Sequence, residues 1–274
     1  MIVFAMESPT PVRNSPRRIA VPPPLAIIDG QFVNVSGIRH FLDVIFEKLS
    51  DPRSFLVCTL NLDHLVKRRQ IPEMREAYAR AEVVTADGFP IIILSRLNGS
   101  NLERAPGADL IEPLCKEAAR SRFSVFFLGT TFQALCTSAR RLTVSYPDLE
   151  ICGVYAPPAG FEVNSEFADE AIRLIRESHA RLCFLALGAP LQERFAVRAL
   201  DETIGVGFLA IGAGLDYLAG TQSRCPRLLR RMYLEWAWRL MSNPRRLALR
   251  YARCGTLFVG LLIKSMSFSS KKEL

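Results

Sequence analysis

The chain has 274 residues, of which 49% are hydrophobic and 23% charged, so it is not a disordered protein and can form one large domain, alone or with an appendage. Its seven cysteines are odd in number and never form a Cys-x-x-Cys pair, so their spacing predicts neither a disulfide framework nor a zinc site and favours a reducing cytosol. The formal net charge is +8, and residues 224–253 contain nine arginines against one acid, Glu235. This asymmetry predicts an anionic partner for the C-terminal part: a membrane surface, nucleic acid or phosphates.

The first 24 residues contain six prolines, and their only apolar run, residues 2–6, is too short for a signal peptide. We therefore predict a flexible Pro-rich extension over residues 1–24. From residue 32 to residue 50 apolar residues recur at helical spacing, and Phe55–Leu60 is a compact apolar run typical of a buried strand. Residues 72–81 predict a helix that leads into a strand ending at Asp87.

The alternation of helices and apolar strands continues to residue 187. The further predicted elements are helices over 110–120, 132–146 and 167–178, and strands over 123–128, 151–155 and 182–187. Apolar strands that alternate with helices are typical of a sheet buried on both faces. The sequence therefore predicts an α/β fold with a doubly wound, mainly parallel sheet.

Asp87 and Gly88 follow an apolar strand, at the place where ligands bind in open α/β sheets. Arg104 follows in a loop before Asp109, which we predict to cap a helix starting at Leu110. An acid and a guanidinium would then face the same crevice. On residue types alone, the pattern also fits an ordinary turn and a solvated arginine.

Several other predicted strands end in small or polar residues. Thr59, Asn61, Asp63 and His64 follow one strand, and Gly-rich loops follow those ending near residues 128 and 187. Backbone N–H groups at such strand-to-helix loops suit a phosphate. The P-loop and dinucleotide-binding glycine motifs are absent, which disfavours a P-loop or nicotinamide enzyme. The three histidines are scattered without metal-ligand spacing.

The C-terminal part changes character near residue 224. Leucines and aromatic residues alternate with arginines at helical spacing, as in a helix that lies at a membrane interface. An amphipathic helix docked on the core is the alternative. The apolar run 254–263 is only ten residues long, well short of the roughly 20 that span a bilayer. We predict an appendage that lies on a membrane without crossing it.

Taken together, the motifs resemble the WecG/TagA/CpsF family of bacterial glycosyltransferases from about residue 32 to residue 253. The segments that carry the resemblance are Thr59 to His64, Ala86-Asp87-Gly88, Glu103-Arg104 with Gly107 to Leu110, Gly188 to Glu193, Gly212 to Asp216 with Ala219-Gly220, and Arg224-Cys225-Pro226 with Leu234-Glu235-Trp236 and Arg239. Three positions depart from the family pattern: Thr85, Leu191 and Cys225. The first two put the identity of the donor sugar in doubt, though not the class of reaction.

The resemblance implies a Rossmann-like catalytic domain over residues 25–222 and a basic amphipathic membrane-associating appendage over residues 223–274. It implies an inverting transfer of a sugar from a UDP-sugar donor to an undecaprenyl-diphosphate-linked saccharide, in cell-surface or exopolysaccharide synthesis. N-acetylmannosamine, its uronic acid and glucose stay open as the donor sugar. The implied location is cytoplasmic, peripheral on the inner face of the membrane, and a homo-oligomer is possible.

By the same resemblance Asp87 would be the catalytic base. The implied substrate-binding residues are Thr59, Asn61, Arg104, Gln192 and Asp216. Arg224, Arg227 and Arg231 would meet lipid phosphates or the substrate diphosphate. For Gln192 the residues alone fit equally well a first-turn helix residue without a role. No Asp-x-Asp motif occurs, so we expect no obligatory metal, and no cofactor is implied.

The alternative from another class is a basic nucleic-acid-binding α/β protein without glycosyl transfer. Such a protein would carry exposed aromatic residues for stacking on its basic surface. Trp236 and Trp238 are two residues apart on a predicted helix, so at least one of them is expected to pack inward. We therefore expect no nucleic-acid partner.

Overall fold

The computed structural model of the chain describes residues 20–232 and 234–270. The side chains of Arg227, Arg231, Arg246 and residues 268–270 lie outside the described part, as does most of the predicted extension over residues 1–24. In chain order the elements are β1 (Ala26–Ile28), β2 (Gln31–Val33), α1 (Ile38–Lys48), β3 (Phe55–Leu60), α2 (Leu62–Gln70), α3 (Pro72–Arg80), β4 (Val83–Ala86), α4 (Phe89–Leu97), α5 (Gly107–Ser121), β5 (Val125–Gly129), α6 (Phe132–Ser145), β6 (Ile151–Tyr155), α7 (Glu166–Glu177), β7 (Leu182–Ala186), α8 (Leu191–Glu202), β8 (Gly207–Ala210), α9 (Gly214–Ala219), α10 (Arg227–Arg231), α11 (Glu235–Ser242) and α12 (Pro244–Ser270).

Six of the strands form one parallel sheet in the order β4-β3-β8-β7-β5-β6. Successive side chains of a strand point to opposite faces, and Leu56 and Cys58 belong to one hydrophobic cluster while Phe55 and Val57 belong to the other. The first cluster lies under α3, α4, α7 and α8, and the second under α1, α5, α6 and α9. The predicted α/β fold with a doubly wound parallel sheet is confirmed.

Two features near the start of the fold were not predicted from the sequence. β1 and β2 form an antiparallel hairpin, in which Asp29 and Gly30 both have positive φ angles of 51° and 73°, as a two-residue type I′ turn requires. Helix α2 follows β3 directly, and the Asn61 side chain caps it by accepting a hydrogen bond from the backbone N–H of His64. Its sequence is rich in charged residues, so its apolar periodicity is weak.

The predicted cap of the next long helix is wrong. Helix α5 begins at Gly107 with Pro106 at the cap position, and Asp109 lies inside its first turn. The start of α5 packs closely against the segment just beyond β8, and a Cβ atom at position 107 would lie only 2.8 Å from the Cα atom of Ile211. Glycine, which has no Cβ atom, therefore allows the helix to begin there. The early start leaves the Asp109 carboxylate available for arginines of the C-terminal part.

The last helix, α12, runs over 27 residues and packs against α2 and α4. Its inner face contributes Leu257 and Leu261 to the core, while Val259 and Ile263 are more than half exposed. The apolar run 254–263 is thus divided between two faces of one helix. Among the residues that the structure describes, no helix has both the length and the apolar character that crossing a membrane needs.

Candidate active site

A cleft of about 430 Å³ lies at the carboxyl ends of the neighbouring strands β4, β3, β8 and β7. The sheet contributes Thr59, Asn61 and Asp87 to its lining, together with Gln192 and the loops that follow β7 and β8. The C-terminal part contributes the opposite wall. The side chains of that wall are Arg224, Cys225, Glu235, Trp238, Arg239, Ser242, Asn243, Leu247, Arg250 and Tyr251.

Two surface hollows of about 550 and 620 Å³ are larger than this cleft. The first is lined by residues such as Pro52 and Thr203, away from the carboxyl ends of the strands, and the second follows α2 and α12. The first hollow contains Glu82, but this residue precedes β4, and neither hollow contains a carboxylate at the carboxyl end of a strand. The chemistry of the residues therefore favours the smaller cleft.

Asp87 follows the last residue of β4, and its backbone N–H donates to the carbonyl of Leu60 on the neighbouring strand over 2.7 Å. The Asn61 side chain donates from Nδ2 to Asp87 Oδ2 over 3.2 Å. Burial raises the pKa of the Asp87 carboxyl, and the hydrogen bond from Asn61 opposes this shift in part. Asp87 therefore has a raised pKa and an open side toward the cleft, which are the properties of a general base.

His64 lies beside this pair and is 6% exposed. Its Nδ1 atom is 2.7 Å from the carbonyl oxygen of Thr59 and 2.8 Å from the hydroxyl of Tyr78, which itself donates to the same carbonyl. Since a carbonyl oxygen only accepts hydrogen bonds, Nδ1 carries a hydrogen. In the neutral ring, Nε2 is then the nitrogen with a free lone pair, and His64 lines the cleft.

Gln192 is buried in the first turn of α8 and reaches across to the loop after β8. Its Oε1 atom accepts from the backbone N–H of Gly212 over 3.1 Å, and its Nε2 atom donates to Glu193 over 2.8 Å. Glu193 is fully buried, and its second carboxylate oxygen has no hydrogen-bond partner among the described residues. Gln192 thus joins two strand-end loops at the edge of the cleft.

Asp109 gathers three arginines at the rim of the cleft. It pairs with Arg224, and its carboxylate oxygens are 3.9 Å from Arg230 and 3.8 Å from Arg104. Arg224 and Arg230 belong to the C-terminal part, whereas Arg104 belongs to the loop before α5. One carboxylate therefore lies within ion-pair distance of three guanidinium groups.

Glu235, the first residue of α11, is a second carboxylate that pairs with more than one arginine. Its charge also acts on Asp87. It accepts from Arg104 over 3.3 Å and from Arg239 over 2.5 Å. The guanidinium of Arg239 also lies 5.9 Å from the ring centroid of Tyr217. Together with Asp109, two carboxylates are shared among four arginines: Arg104, Arg224, Arg230 and Arg239. We call these four residues the arginine cluster, and its excess positive charge suits the phosphates of a ligand.

A family model described as the Glycosyl transferase WecG/TagA/CpsF family matches residues 26–272. The chain belongs to this family. It is therefore a glycosyltransferase, and the resemblance seen in its motifs is confirmed. A relative from Bacillus spizizenii is 28% identical over 202 residues, which cover 72% of this chain and 75% of the relative. That relative is named N-acetylglucosaminyldiphosphoundecaprenol N-acetyl-beta-D-mannosaminyltransferase.

Family membership favours the transferase over the nucleic-acid-binding alternative. Of the two tryptophans, Trp238 lines the cleft and Trp236 is 53% exposed, so their positions do not separate the two alternatives. Within residues 20–232 and 234–270, no three histidine, cysteine or acidic side chains are grouped so as to hold a metal ion.

Not every residue singled out in the sequence lines the cleft of the glycosyltransferase. Asp216 accepts hydrogen bonds from Thr130 over 2.6 Å and from Thr221 over 3.1 Å, and it is not among the lining residues. Arg104 is also absent from the lining and contacts it through its ion pair with Glu235. Helix α10 contains Arg227 and Arg231, whose side chains fall outside the described part of the chain.

The three departures from the family pattern differ in position. Thr85 is fully buried and donates to the carbonyl of Ala105 over 2.7 Å, so it holds the loop that contains Arg104. Cys225 lines the cleft, and Leu191 is the first residue of α8, next to Gln192.

Sequence reasoning assigned no role to His64, Glu235 or Arg239, which all line the cleft. Glu235 had one available signal, since it is the single acid among nine arginines. For His64 the signal was its place three residues after the capping Asn61.

The C-terminal wall is joined to α2 by another carboxylate. Asp63 is 8% exposed and pairs with Lys67 over 2.8 Å and with Arg250 of α12 over 2.9 Å. Lys67 also donates to the carbonyl of Ala189 over 2.8 Å. These contacts connect the loop after β7, helix α2 and helix α12 along one side of the cleft.

Proposed function

We propose that the chain transfers a sugar from a UDP-sugar to a saccharide joined by a diphosphate to undecaprenol. The observation that carries this proposal is Asp87, a strand-end carboxylate that shares its cleft with Arg224 and Arg239 of the arginine cluster. A base and an excess of cations in one cleft match the two needs of the reaction, a deprotonated acceptor and a stabilised diphosphate.

In the proposed reaction Asp87 takes the proton of an acceptor hydroxyl, and the hydroxyl oxygen forms a bond to the anomeric carbon of the donor. The bond between that carbon and the UDP oxygen breaks, and UDP leaves with the electron pair. Attack from the face opposite to UDP inverts the configuration. The raised pKa of Asp87 makes it a stronger base than an exposed aspartate.

The arginine cluster would stabilise the negative charge that develops on the departing UDP or that resides on the acceptor diphosphate. Arg239 is the member closest to the chemistry, because it lines the cleft and its charge opposes the upward shift in the pKa of Asp87. Guanidinium groups bind phosphate oxygens in pairs, which a lysine does not do.

The name of the Bacillus spizizenii relative supports the acceptor class and indicates which donor to test first. That protein is named as acting on N-acetylglucosaminyldiphosphoundecaprenol with an N-acetylmannosaminyl group. UDP-N-acetylmannosamine is therefore the first donor to test, followed by its uronic acid and by UDP-glucose. The product would enter cell-surface or exopolysaccharide synthesis.

We also propose that α10 to α12 bind an anionic membrane surface on the cytoplasmic side. Their exposed apolar side chains include Leu228, Met232, Trp236, Met241, Leu249, Val259, Ile263 and Met266. Exposed apolar residues among arginines are what a helix at a lipid interface needs. Flotation with anionic liposomes tests this proposal: Ile263→Glu with Met266→Glu is expected to abolish binding, whereas Val144→Glu on α6 preserves it. Equal flotation of all the variants would contradict it.

The reaction is tested by measuring UDP release from a panel of UDP-sugars with a short-chain lipid-diphosphate sugar as acceptor. We expect release that requires the acceptor, occurs with one donor and is lost in Asp87→Asn. Release that Asp87→Asn leaves unchanged would remove Asp87 from the mechanism. A different nucleotide released with another donor class would overturn the proposed donor.

A further inference from the structure

A groove of about 620 Å³ runs along the seam between α2 and α12, outside the cleft. Its apolar side chains include Val66 from α2 and Leu257 and Leu261 from α12, the latter two being buried against the core. Arg253 and Lys264 stand along the α12 side. The groove therefore combines an apolar floor with a basic rim, a combination that fits a lipid chain near phosphates.

The groove continues the cleft along the same two helices. Asp63, Lys67 and Arg250 line the cleft, and Val66 and Ala252 line the groove. From residue 252 to residue 264 the axis of α12 advances roughly 18 Å at 1.5 Å per residue. A ligand whose charged end lies in the cleft would therefore pass the Asp63–Arg250 ion pair to reach the groove.

The charges of the rim also match such a ligand. Arg253 and Lys264 have no carboxylate within ion-pair distance among the residues described, whereas Arg69 at the α2 side pairs with Asp29. Unpaired cations beside an apolar floor favour a hydrocarbon chain that lies close to anionic groups.

The geometry points to a binding site for the isoprenoid chain of the acceptor in this groove, with the acceptor diphosphate in the cleft. This inference rests on the proposed acceptor class. The polyprenyl chain is a better occupant than a bilayer phospholipid, because only the acceptor has a diphosphate and a sugar that reach from the groove into the cleft. The groove would select acceptors by chain length and orient them toward Asp87.

Two glycines of α12 provide a matched pair of variants. Gly260 lines the groove and Gly255 does not, and a Cβ atom at either position meets no atom within 4 Å. Both glycines are exposed, so Gly260→Phe fills the groove while Gly255→Phe places the same side chain elsewhere on the same helix. The control therefore reports any general effect of phenylalanine on α12.

The experiment measures the dissociation constants of undecaprenyl diphosphate and geranyl diphosphate by calorimetry in detergent micelles. Neither ligand carries a sugar, so the measurement does not depend on glycosyl transfer. We expect Gly260→Phe to raise the dissociation constant of undecaprenyl diphosphate about tenfold and to leave that of geranyl diphosphate unchanged. Gly255→Phe is expected to match the wild type with both ligands.

Unchanged binding of undecaprenyl diphosphate to Gly260→Phe would overturn the inference, as would equal weakening of the long and the short ligand. If Gly260→Phe lost only its flotation on acceptor-free anionic vesicles, the groove would belong to bilayer phospholipid and the inference would be wrong. If the binding results are as predicted but no donor gives UDP release, the groove still binds the isoprenoid chain. The proposed reaction, and not the groove, would then be wrong.

Discussion

The two walls of the cleft are built in different ways. On the sheet side, Asn61 caps a helix, Asp87 is joined to Leu60 through its backbone, and Gln192 accepts from a backbone N–H. On the C-terminal side, Glu235 and Arg239 are held mainly by ion pairs between side chains, one within α11 and one with Arg104 of the loop before α5. Hydrogen bonds to backbone groups fix a side chain in one place, whereas partly exposed ion pairs exchange partners at little cost.

This difference assigns different tasks to the two walls. The sheet side can hold a reacting group at a fixed position, which favours the chemical step. The C-terminal side can exchange its carboxylate partners for the phosphates of a ligand, which favours binding. Substitutions on the sheet side should therefore lower kcat, and those on the C-terminal side should mainly raise KM.

The largest effect is expected for Asp87→Asn. Loss of the base should lower kcat by about 10²- to 10⁴-fold. Folding raises the pKa of Asp87, so its contribution to stability is present at low pH and is lost as the pH rises through the folded-state pKa. At neutral pH the variant should therefore melt at a higher temperature than the wild type, with a difference that vanishes in acid. A lower melting temperature at every pH would show that Asp87 has a structural function instead.

A smaller effect is expected for Arg239→Gln on the opposite wall. Losing one guanidinium from the arginine cluster should raise KM about tenfold, with a lesser change in kcat. Arg245→Gln is the control, because Arg245 is exposed on α12 outside the cleft and the two changes alter net charge equally. A fall in kcat without a change in KM would contradict the division between the walls.

Asn61→Asp tests the electrostatic support of the base. Aspartate caps a helix as well as asparagine does, so α2 should remain intact. The change removes the amide donor and adds a like charge, and both effects raise the pKa of Asp87 further. The acidic limb of the kcat/KM profile should move to higher pH. Asn61→Ser, which also caps the helix, should give a smaller shift of this limb. An unchanged pH profile in both variants would show that Asn61 does not affect the pKa of Asp87.

The smallest effect on activity is expected for Asp216→Ala. Its carboxylate supports Thr130 and Thr221, so its loss should lower the free energy of unfolding by about 1–3 kcal/mol and leave KM unchanged. Thr130→Val should produce part of the same loss. A raised KM with unchanged stability would instead support the substrate contact that the family resemblance implies.

The sequence alone determined the alternation of elements and the place of Asp87. Runs such as Phe55–Leu60 and Val83–Ala86 are apolar except for one threonine each, because a parallel strand is buried on both faces, and this pattern is local. Asp87 is found for the same reason, since it follows one of these strands. The family motifs are also local in sequence.

Only the tertiary structure decided what faces Asp87. Strand order places β3 between β4 and β8. The chain then returns Glu235 and Arg239 to the cleft from more than a hundred residues away. Local periodicity carries no information about such pairs, because their energy depends on distances that the fold sets. The same reason explains why the sequence did not reveal the hydrogen bond of Asp216. This residue lies in a family motif, but its partner Thr130 is distant in sequence.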